Sequence, residues 1–90
     1  MDKDSDDTPL VSVIIPVYNR EDVIDRALDS VLNQSYRNLE IIVIDDGSSD
    51  QTVHRCRSYG ERIRLITQKN AGPAAARNNG IRHAAGPFIA

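Results

Sequence analysis

Apolar and polar positions alternate along the chain in blocks of two kinds. Three blocks, at 63–67, 11–15 and 39–44, have the composition of strands, and the last two are almost continuously apolar. Runs of this length are typical of strands that are covered on both faces of a sheet. Pro16 is expected to end the first strand, because proline has no N–H to donate to a neighbouring strand. We therefore predict two buried strands and a third strand at 63–67, and residues 88–90 resemble the start of a fourth.

The blocks between the strands have the patterns of helices. Residues 21–33 repeat their apolar side chains at helical spacing, and Asn19 is expected to cap that helix. Ser48 and Gln51 have the spacing of a capping box, which predicts a second helix that ends near Tyr59. Each of these helices would connect one strand to the next.

A third helix is predicted after the third strand. Gly72 and Pro73 suit its N-cap and first position, and its alanine-rich segment runs from Ala74 to about Ala85. Strands that alternate with helices pair in parallel through right-handed crossovers. The expected fold class is therefore α/β, a Rossmann-like three-layer α/β/α sandwich with a mainly parallel sheet.

Length, charge and cysteine content narrow the possible functions. The chain has 90 residues, which is enough for one domain or for part of one. With 11 basic and 13 acidic residues and no basic block, it lacks the charge pattern of a nucleic-acid binder. Its single cysteine, Cys56, forms no internal disulfide, which favours a cytoplasmic setting.

The N-terminal region differs in composition from the rest of the chain. Residues 1–10 contain four aspartates and few apolar residues, so we expect a disordered acidic tail followed by a folded domain over residues 11–90. No apolar run approaches the roughly 18 residues that span a bilayer. We expect a soluble fragment, although a longer protein could still be held at the cytoplasmic face of a membrane.

Candidate chemistry lies in the loops that follow the strands, because ligands bind beyond the carboxyl ends of strands in such sheets. Asp45 and Asp46 come directly after the second strand. They could simply form a polar turn, with Gly47 at positive φ and Ser48 capping the next helix. Alternatively, Asp46 is placed to accept hydrogen bonds from a nucleobase or a ribose, while Asp45 fixes the loop.

Two more loops carry candidate ligand-binding residues. Tyr18 follows the first strand, where its ring can stack on a base, although residues 16–19 could equally be a strand end and a helix cap. Arg77 lies one turn into the third helix, where a guanidinium and a helix start together attract a diphosphate. It could instead be an ordinary solvated arginine. His54 and His83 are isolated and lack metal-ligand spacing.

Four segments of the sequence together resemble a known enzyme family. They are VSVIIPVYN at 11–19, SVLNQSY at 30–36, EIIVIDDGSSD at 40–50, and the segment at 70–80 that begins with NAG. In this order and spacing they strongly resemble the family 2 glycosyltransferases of the GT-A fold. The resemblance extends from about residue 10 to residue 90.

The resemblance implies that residues 11–90 are the N-terminal, nucleotide-sugar-binding portion of such an enzyme. Pro16, Tyr18 and Asp46 would line the nucleoside pocket. Asp45 would support it. Arg77 would lie where the family's third motif approaches the nucleotide. The full set of expected cofactor-binding residues is Pro16, Val17, Tyr18, Asn19, Asp45, Asp46, Gly72 and Arg77.

The resemblance also implies a reaction. Members of the family are typically inverting enzymes that transfer a sugar from a nucleotide-diphosphate sugar to a glycan, lipid or polysaccharide acceptor. They use a divalent cation, Mg²⁺ or Mn²⁺, held by a later Asp-x-Asp motif, and a carboxylate base beyond it. The resemblance places both past residue 90, so we expect no catalytic or metal-binding residue in this fragment. We expect a UDP-sugar as the donor and no sugar transfer by the fragment alone.

Two other classes of function remain open. A non-catalytic nucleotide-binding or assembly module would keep the fold without the chemistry. A receiver-like signalling domain also has an acidic pair at strand ends, but that pair would follow the first strand, whereas Asp45 and Asp46 follow the second. The open edge of an incomplete sheet further predicts self-association.

Overall fold

A computed structural model of the protein describes residues 9–90, so residues 1–8 of the predicted acidic tail lie outside the described part. Strands and helices alternate along the chain, as predicted. In order, the elements are β1 (Val11–Val17), α1 (Ile24–Asn33), β2 (Leu39–Asp45), α2 (Thr52–Arg57), a 3-10 turn (Gly60–Arg62), β3 (Arg64–Thr67), α3 (Pro73–His83) and β4 (Phe88–Ile89).

The four strands form one parallel sheet in the order β3, β2, β1, β4. β1 and β2 pair along their full length, with Val13 opposite Ile41. β3 extends the sheet beyond β2, and β4 pairs with the first two residues of β1. Because the strands are parallel, the carboxyl ends of β1, β2 and β3 lie at the same edge of the sheet. The loops predicted to be functional therefore lie side by side.

Two apolar clusters, one on each face of the sheet, give the molecule three layers. On one face Ile41 of β2 packs with α1 and α2, whose Leu28 and Cys56 are fully buried. On the other face Ile42 packs with the fully buried Ala76 of α3. Successive side chains of a strand point to opposite faces, so β2 contributes to both clusters. The predicted α/β/α sandwich with a parallel sheet is confirmed.

Pro16 lies within β1 instead of ending it, so that part of the sequence prediction is wrong. The Val17 carbonyl accepts a hydrogen bond from the Asp46 amide at 2.9 Å, on the side of β2. The Ile14 amide donates in the opposite direction, to the carbonyl of Ala90. Backbone groups alternate along a parallel strand, so Pro16 points to the same side as Ile14. Pro16 therefore points away from β2, and its missing N–H costs no hydrogen bond to that strand.

The predicted helix caps at Asn19 and Ser48 are also wrong. Val23 and Gln51 occupy the N-cap positions of α1 and α2, and neither makes a side-chain cap. The side chains of Asn19 and Ser48 instead join the β1–α1 loop to the β2–α2 loop. The cap predicted for the third helix is confirmed, because Gly72 is the N-cap of α3.

The helices are short. With 11 residues, α3 extends about 16 Å at a rise of about 1.5 Å per residue. The hydrocarbon core of a bilayer is about 30 Å thick. Among the residues that the structure describes, no helix is both long enough and apolar enough to cross a membrane.

Gly80 allows α3 to approach the sheet closely. A β-carbon built on this buried residue would lie 2.5 Å from Ile14 Cγ2 and 3.2 Å from Ile44 Cγ1. Isoleucine is branched at its β-carbon and has few alternative rotamers, so the Ile14 methyl group has little freedom to move aside. The distance between α3 and the sheet therefore depends on the missing side chain at Gly80.

We expect Gly80→Ala to destabilise the protein by roughly 1–3 kcal/mol, the usual cost of overpacking a core. This would occur although alanine is the better helix former by about 1 kcal/mol. Urea unfolding followed by circular dichroism measures the change. Asn78→Ala, an exposed substitution on the same helix, is the control and should be neutral or slightly stabilising. A Gly80→Ala protein as stable as the wild type would contradict the importance of this close approach.

Candidate functional site

Loops from three parts of the chain meet at the carboxyl edge of the sheet and enclose a cavity of about 310 Å³. Two of them follow β1 and β2, and the third leads from β3 into α3. These are the loops that the sequence indicated. The residues that line the cavity are Pro16, Val17, Tyr18, Arg20, Asp46, Asn70, Gly72, Pro73 and Ala76.

Asp46 is the most extensively hydrogen-bonded side chain of the site. Its Oδ1 atom accepts hydrogen bonds from Gln68 Nε2 and from the Ala71 amide, both at 2.8 Å. Its Oδ2 atom accepts from the Gly72 amide at 2.9 Å and from Asn70 Nδ2 at 3.2 Å. A carboxylate has about four acceptor positions, so these donors occupy all of them. With only 4% of its surface exposed, Asp46 fixes the loop that leads into α3.

These hydrogen bonds keep Asp46 ionised. The Gln68 side chain is the main cause, followed by the Ala71 amide, of a pKa below the ordinary value of 3.8, because both donate to the charged form. Burial acts in the opposite direction and is outweighed. Asn79 Nδ2 donates to Gln68 Oε1 at 2.9 Å, and this contact holds the Gln68 amide nitrogen towards Asp46. Asp46 is therefore a negatively charged acceptor at neutral pH.

Asp45 has a different environment, although it is the adjacent residue. It is 1% exposed, and its carboxylate accepts hydrogen bonds from the Ser48 amide at 2.9 Å and from the Ser48 hydroxyl. Gly47 lies inside this turn at a φ of +80°, as predicted. A β-carbon there would lie 2.8 Å from the backbone nitrogen of Asn70. Asp45 therefore folds the β2–α2 loop back on itself and is not part of the cavity wall.

The carboxylates of the site show whether this part of the chain can hold a divalent cation. The oxygens of both Asp45 and Asp46 already accept hydrogen bonds from protein donors. Within residues 9–90, no group of three or more His, Cys, Asp or Glu side chains could hold a metal ion. The described residues thus do not fit a cation site of their own.

Tyr18 and Arg20 form an open part of the cavity wall. Tyr18 is 45% exposed, which is high for a large aromatic residue. The Arg20 guanidinium donates hydrogen bonds to the carbonyl oxygens of Tyr18, at 3.1 Å, and Asn19, at 3.2 Å. An accessible aromatic face and a positive charge therefore occur together at the cavity.

The cavity includes five of the eight residues that the sequence nominated, namely Pro16, Val17, Tyr18, Asp46 and Gly72. The other three do not line it. Asn19 has a φ of +50° and turns its side-chain oxygen towards the Ser49 amide. Asp45 is buried in its own turn. Arg77 is exposed on α3 and comes one residue after the cavity-lining Ala76, which moves it about 100° around the helix.

Sequence reasoning missed several residues of the site. Asn70 and Gln68 belong to a loop that was indicated, but nothing local revealed that their side chains turn back towards Asp46. Ala76 carries a recognisable signal, since small residues at helical spacing suit a helix that packs closely on a sheet. Arg20 carries no such sequence signal, because its position depends on the loop that follows β2.

The sequence matches the family model described as glycosyl transferase family 2 over residues 12–90. Among curated relatives, the glycosyltransferase GlyA of Streptococcus pneumoniae is 43% identical over 82 residues, a match that covers 88% of this chain and 12% of GlyA. An uncharacterized glycosyltransferase of Rickettsia felis is 52% identical over 83 residues, which covers 89% of this chain and 14% of that protein. The chain thus spans less than a sixth of the length of either relative.

Solved structures share the fold. The mannosyltransferase PcManGT of Pyrobaculum calidifontis, in complex with GDP-Man and Mn²⁺, has a TM-score of 0.84 at 34% identity, over 90% of this chain and 26% of that one. The S. aureus TarS 1-349 structure in complex with UDP has a TM-score of 0.82 at 31% identity, over 89% of this chain and 25% of that one. Together with the family match over residues 12–90, this similarity shows that the chain belongs to glycosyl transferase family 2 and has the GT-A fold.

Proposed function

We propose that this chain is the donor-binding portion of a glycosyltransferase that transfers a sugar from a nucleotide-diphosphate sugar to a glycan, lipid or polysaccharide acceptor, with inversion. One observation carries the proposal. The cavity at the carboxyl edge of the sheet combines the exposed Tyr18 ring with the ionised Asp46. Family membership supports it over a receiver-like signalling domain, because two structural neighbours were solved with GDP-Man and with UDP.

In this proposal Tyr18 and Asp46 share the recognition of the base. The Tyr18 ring stacks on it, and Asp46 accepts a hydrogen bond from one of its N–H groups. Since protein donors already occupy the acceptor positions of Asp46, one of them must yield to the base. The Asn70 side chain makes the longest of these bonds, from Nδ2 to Asp46 Oδ2 at 3.2 Å, and is the donor that we expect to be displaced. The other three bonds would then keep the carboxylate in place.

A UDP-sugar is our proposed donor. TarS was solved both with UDP and with UDP-GlcNAc, although PcManGT was solved with GDP-Man and Mn²⁺. In the whole enzyme, Mg²⁺ or Mn²⁺ would neutralise the departing diphosphate. We propose that its ligands and the catalytic base come from outside residues 1–90. The role of this chain is to bind the nucleoside and orient the diphosphate.

The proposal extends to location and assembly. We place the enzyme in the cytoplasm, with the longer protein able to lie at the cytoplasmic face of a membrane. In the described chain β4 is the outermost strand next to β1 and is only two residues long, and its Ile89 is 40% exposed. Open sheet edges pair with one another, so we propose that the 90-residue chain self-associates through this edge.

Nucleotide binding provides the direct test. In titration calorimetry with UDP, GDP and ADP, we expect the wild-type chain to bind UDP best. Tyr18→Ala should weaken that binding by about tenfold or more, because stacking on an aromatic ring contributes strongly to the affinity for a base. Its melting temperature should hardly change, since Tyr18 is half exposed. Asp46→Ala should lower both the affinity and the stability, because Asp46 also fixes a loop.

Ile81→Ala is the matched control for the tyrosine variant. Ile81 is 41% exposed and lies on α3, and it does not line the cavity. Its replacement should leave the affinity for UDP unchanged. If none of the three nucleotides binds the wild-type chain, or if Tyr18→Ala binds UDP as well as the wild type, the proposed site is wrong.

We expect no glycosyl transfer by the 90-residue chain alone. Release of UDP or GDP from the corresponding sugar nucleotides should remain at the uncatalysed rate with Mg²⁺ or Mn²⁺ present, because the residues described here bind the donor without supplying a base. A coupled assay, checked with added nucleoside diphosphate, measures the release. Turnover above the background would place the catalytic residues within this chain.

Self-association is tested by light scattering over a range of concentrations. The average mass should rise above that of one chain as the concentration increases. Ile89→Lys adds a charge at the open edge and should shift the protein towards the monomer. Val23→Lys, at a similarly exposed apolar position away from that edge, should not. A wild-type chain that stays monomeric throughout would exclude association through this edge.

A further inference from the structure

Three consecutive backbone amides of the β1–α1 loop are held by side chains of the β2–α2 region. The Asn19 amide donates to Ser48 Oγ at 2.8 Å, and the Arg20 amide donates to Thr52 Oγ1 at 2.8 Å. The Glu21 amide donates to Asp50 Oδ2 at 3.3 Å. We call these three bonds the amide clamp. Each joins residues about 30 positions apart in the sequence, so no local pattern could create them.

The acceptors of the amide clamp are themselves oriented. The Thr52 hydroxyl donates its hydrogen to Asp50 Oδ1, and the Ser48 hydroxyl donates its hydrogen to Asp45 Oδ1. A hydroxyl that has committed its single hydrogen to a carboxylate presents its lone pairs to other donors. The carboxylates of Asp45 and Asp50 therefore set the direction from which the loop amides can bind.

The hydrogen bonds of Asp50 also keep it charged. Burial raises its pKa, but the bonds from the Thr52 hydroxyl and amide and from the Glu21 amide outweigh that effect and lower the pKa below 3.8. Thr52 is fully buried. The carboxylate acceptor of the amide clamp, Asp50, is therefore ionised at neutral pH.

Within the β1–α1 loop, the Arg20 guanidinium donates to two backbone carbonyls and the Arg20 carbonyl accepts from the Val23 and Ile24 amides, but none of these bonds holds the amides of residues 19–21. The N-cap of α1, Val23, makes no side-chain hydrogen bond, and Asn19 adopts a φ of +50°, which non-glycine residues rarely do. Return bonds run in the other direction, from the Ser49 amide to Asn19 Oδ1 and from the Gln51 amide to Glu21 Oε1, both at 2.8 Å. The loop is thus bound from outside in both directions.

The clamped segment includes part of the cavity wall. Arg20 belongs to both the amide clamp and the lining of the cavity, and Tyr18 immediately precedes the first clamped amide. A shift of the clamped backbone would carry the ring of Tyr18 and the guanidinium of Arg20 with it. The position of this wall is therefore determined by residues that do not touch the cavity.

We propose that Ser48, Asp50 and Thr52 are positioning residues for ligand binding, which hold the Tyr18–Arg20 wall of the cavity in its binding position through the amide clamp. This inference rests on the proposed function, because it concerns the same cavity. The inference goes beyond the proposed function by assigning a binding role to three residues that make no contact with the ligand.

The experiment removes one acceptor without changing the shape of its side chain. In Thr52→Val the Arg20 amide loses its partner, while Thr52→Ser keeps the hydroxyl. We expect amide hydrogen exchange by NMR to show that the Arg20 amide is protected in the wild type, unprotected in Thr52→Val and protected again in Thr52→Ser. In calorimetry with UDP, Thr52→Val should weaken binding by about tenfold, and Thr52→Ser should recover most of the affinity.

A double-mutant cycle separates positioning from stability alone. If Thr52 acts through the wall, Thr52→Val should change the UDP affinity by less than about twofold when Tyr18→Ala is already present. A merely stabilising Thr52 would lower the melting temperature and leave the affinity of the folded protein unchanged. Ser58→Ala removes an exposed hydroxyl at the opposite end of α2 that donates to the Arg55 carbonyl, and it should alter neither measurement.

The outcomes are distinguishable. Rapid exchange of the Arg20 amide in the wild type, or equal protection in Thr52→Val, would show that the amide clamp does not hold the loop. Lost protection without any loss of affinity would show that the clamp exists but does not position the wall. A wild-type chain that binds no nucleoside diphosphate would overturn the proposed function together with the positioning role, while the exchange data would still report on the clamp itself.

Discussion

Two adjacent buried carboxylates, at the end of the central strand β2, organise the functional edge of this domain. Asp45 and Asp46 are 1% and 4% exposed, and polar groups so far from water need hydrogen-bond partners within the protein. Asp45 meets this need within its own turn, through Ser48. Asp46 meets it through four donors of the loop that leads into α3. Each loop therefore has one favourable position on the sheet.

The same constraint determines the chemical character of the cavity. Its acidic residue is ionised and already fully bonded, and its basic residue, Arg20, is tied to backbone carbonyls, while the Tyr18 ring is open. A ligand that enters meets groups whose orientation is already set, which reduces the entropy lost on binding. In our proposal the amide clamp likewise sets the position of the Tyr18–Arg20 wall. Hydrogen bonds around Asp45 and Asp50 thus connect the loop after β2 to the β1–α1 loop, and those around Asp46 connect the end of β2 to the loop that leads into α3.

Much of the fold was accessible from the sequence, and particular residues show why. The apolar run of β2 predicted a strand covered on both faces, and the structure buries Ile42 and Ile44 under α3 and Ile41 and Val43 under the other helices. The prediction of helix caps failed where a side chain could bond either to its own helix or to a distant loop. Asn19 matched the pattern of a helix cap, but its side chain bonds to a loop 30 residues away.

The sequence by itself determined the order of strands and helices, the parallel sheet, and the edge at which the site lies, because hydrophobic periodicity is a local property. Only the tertiary structure decided which polar side chains face the cavity and which fix the loops. Asp45 and Asp46 are chemically identical neighbours, and their environments diverge because successive residues leaving a strand point to opposite sides. Pro16 remains inside β1 for the same kind of reason, since only the position of β2 shows that no hydrogen bond to that strand needs the missing N–H.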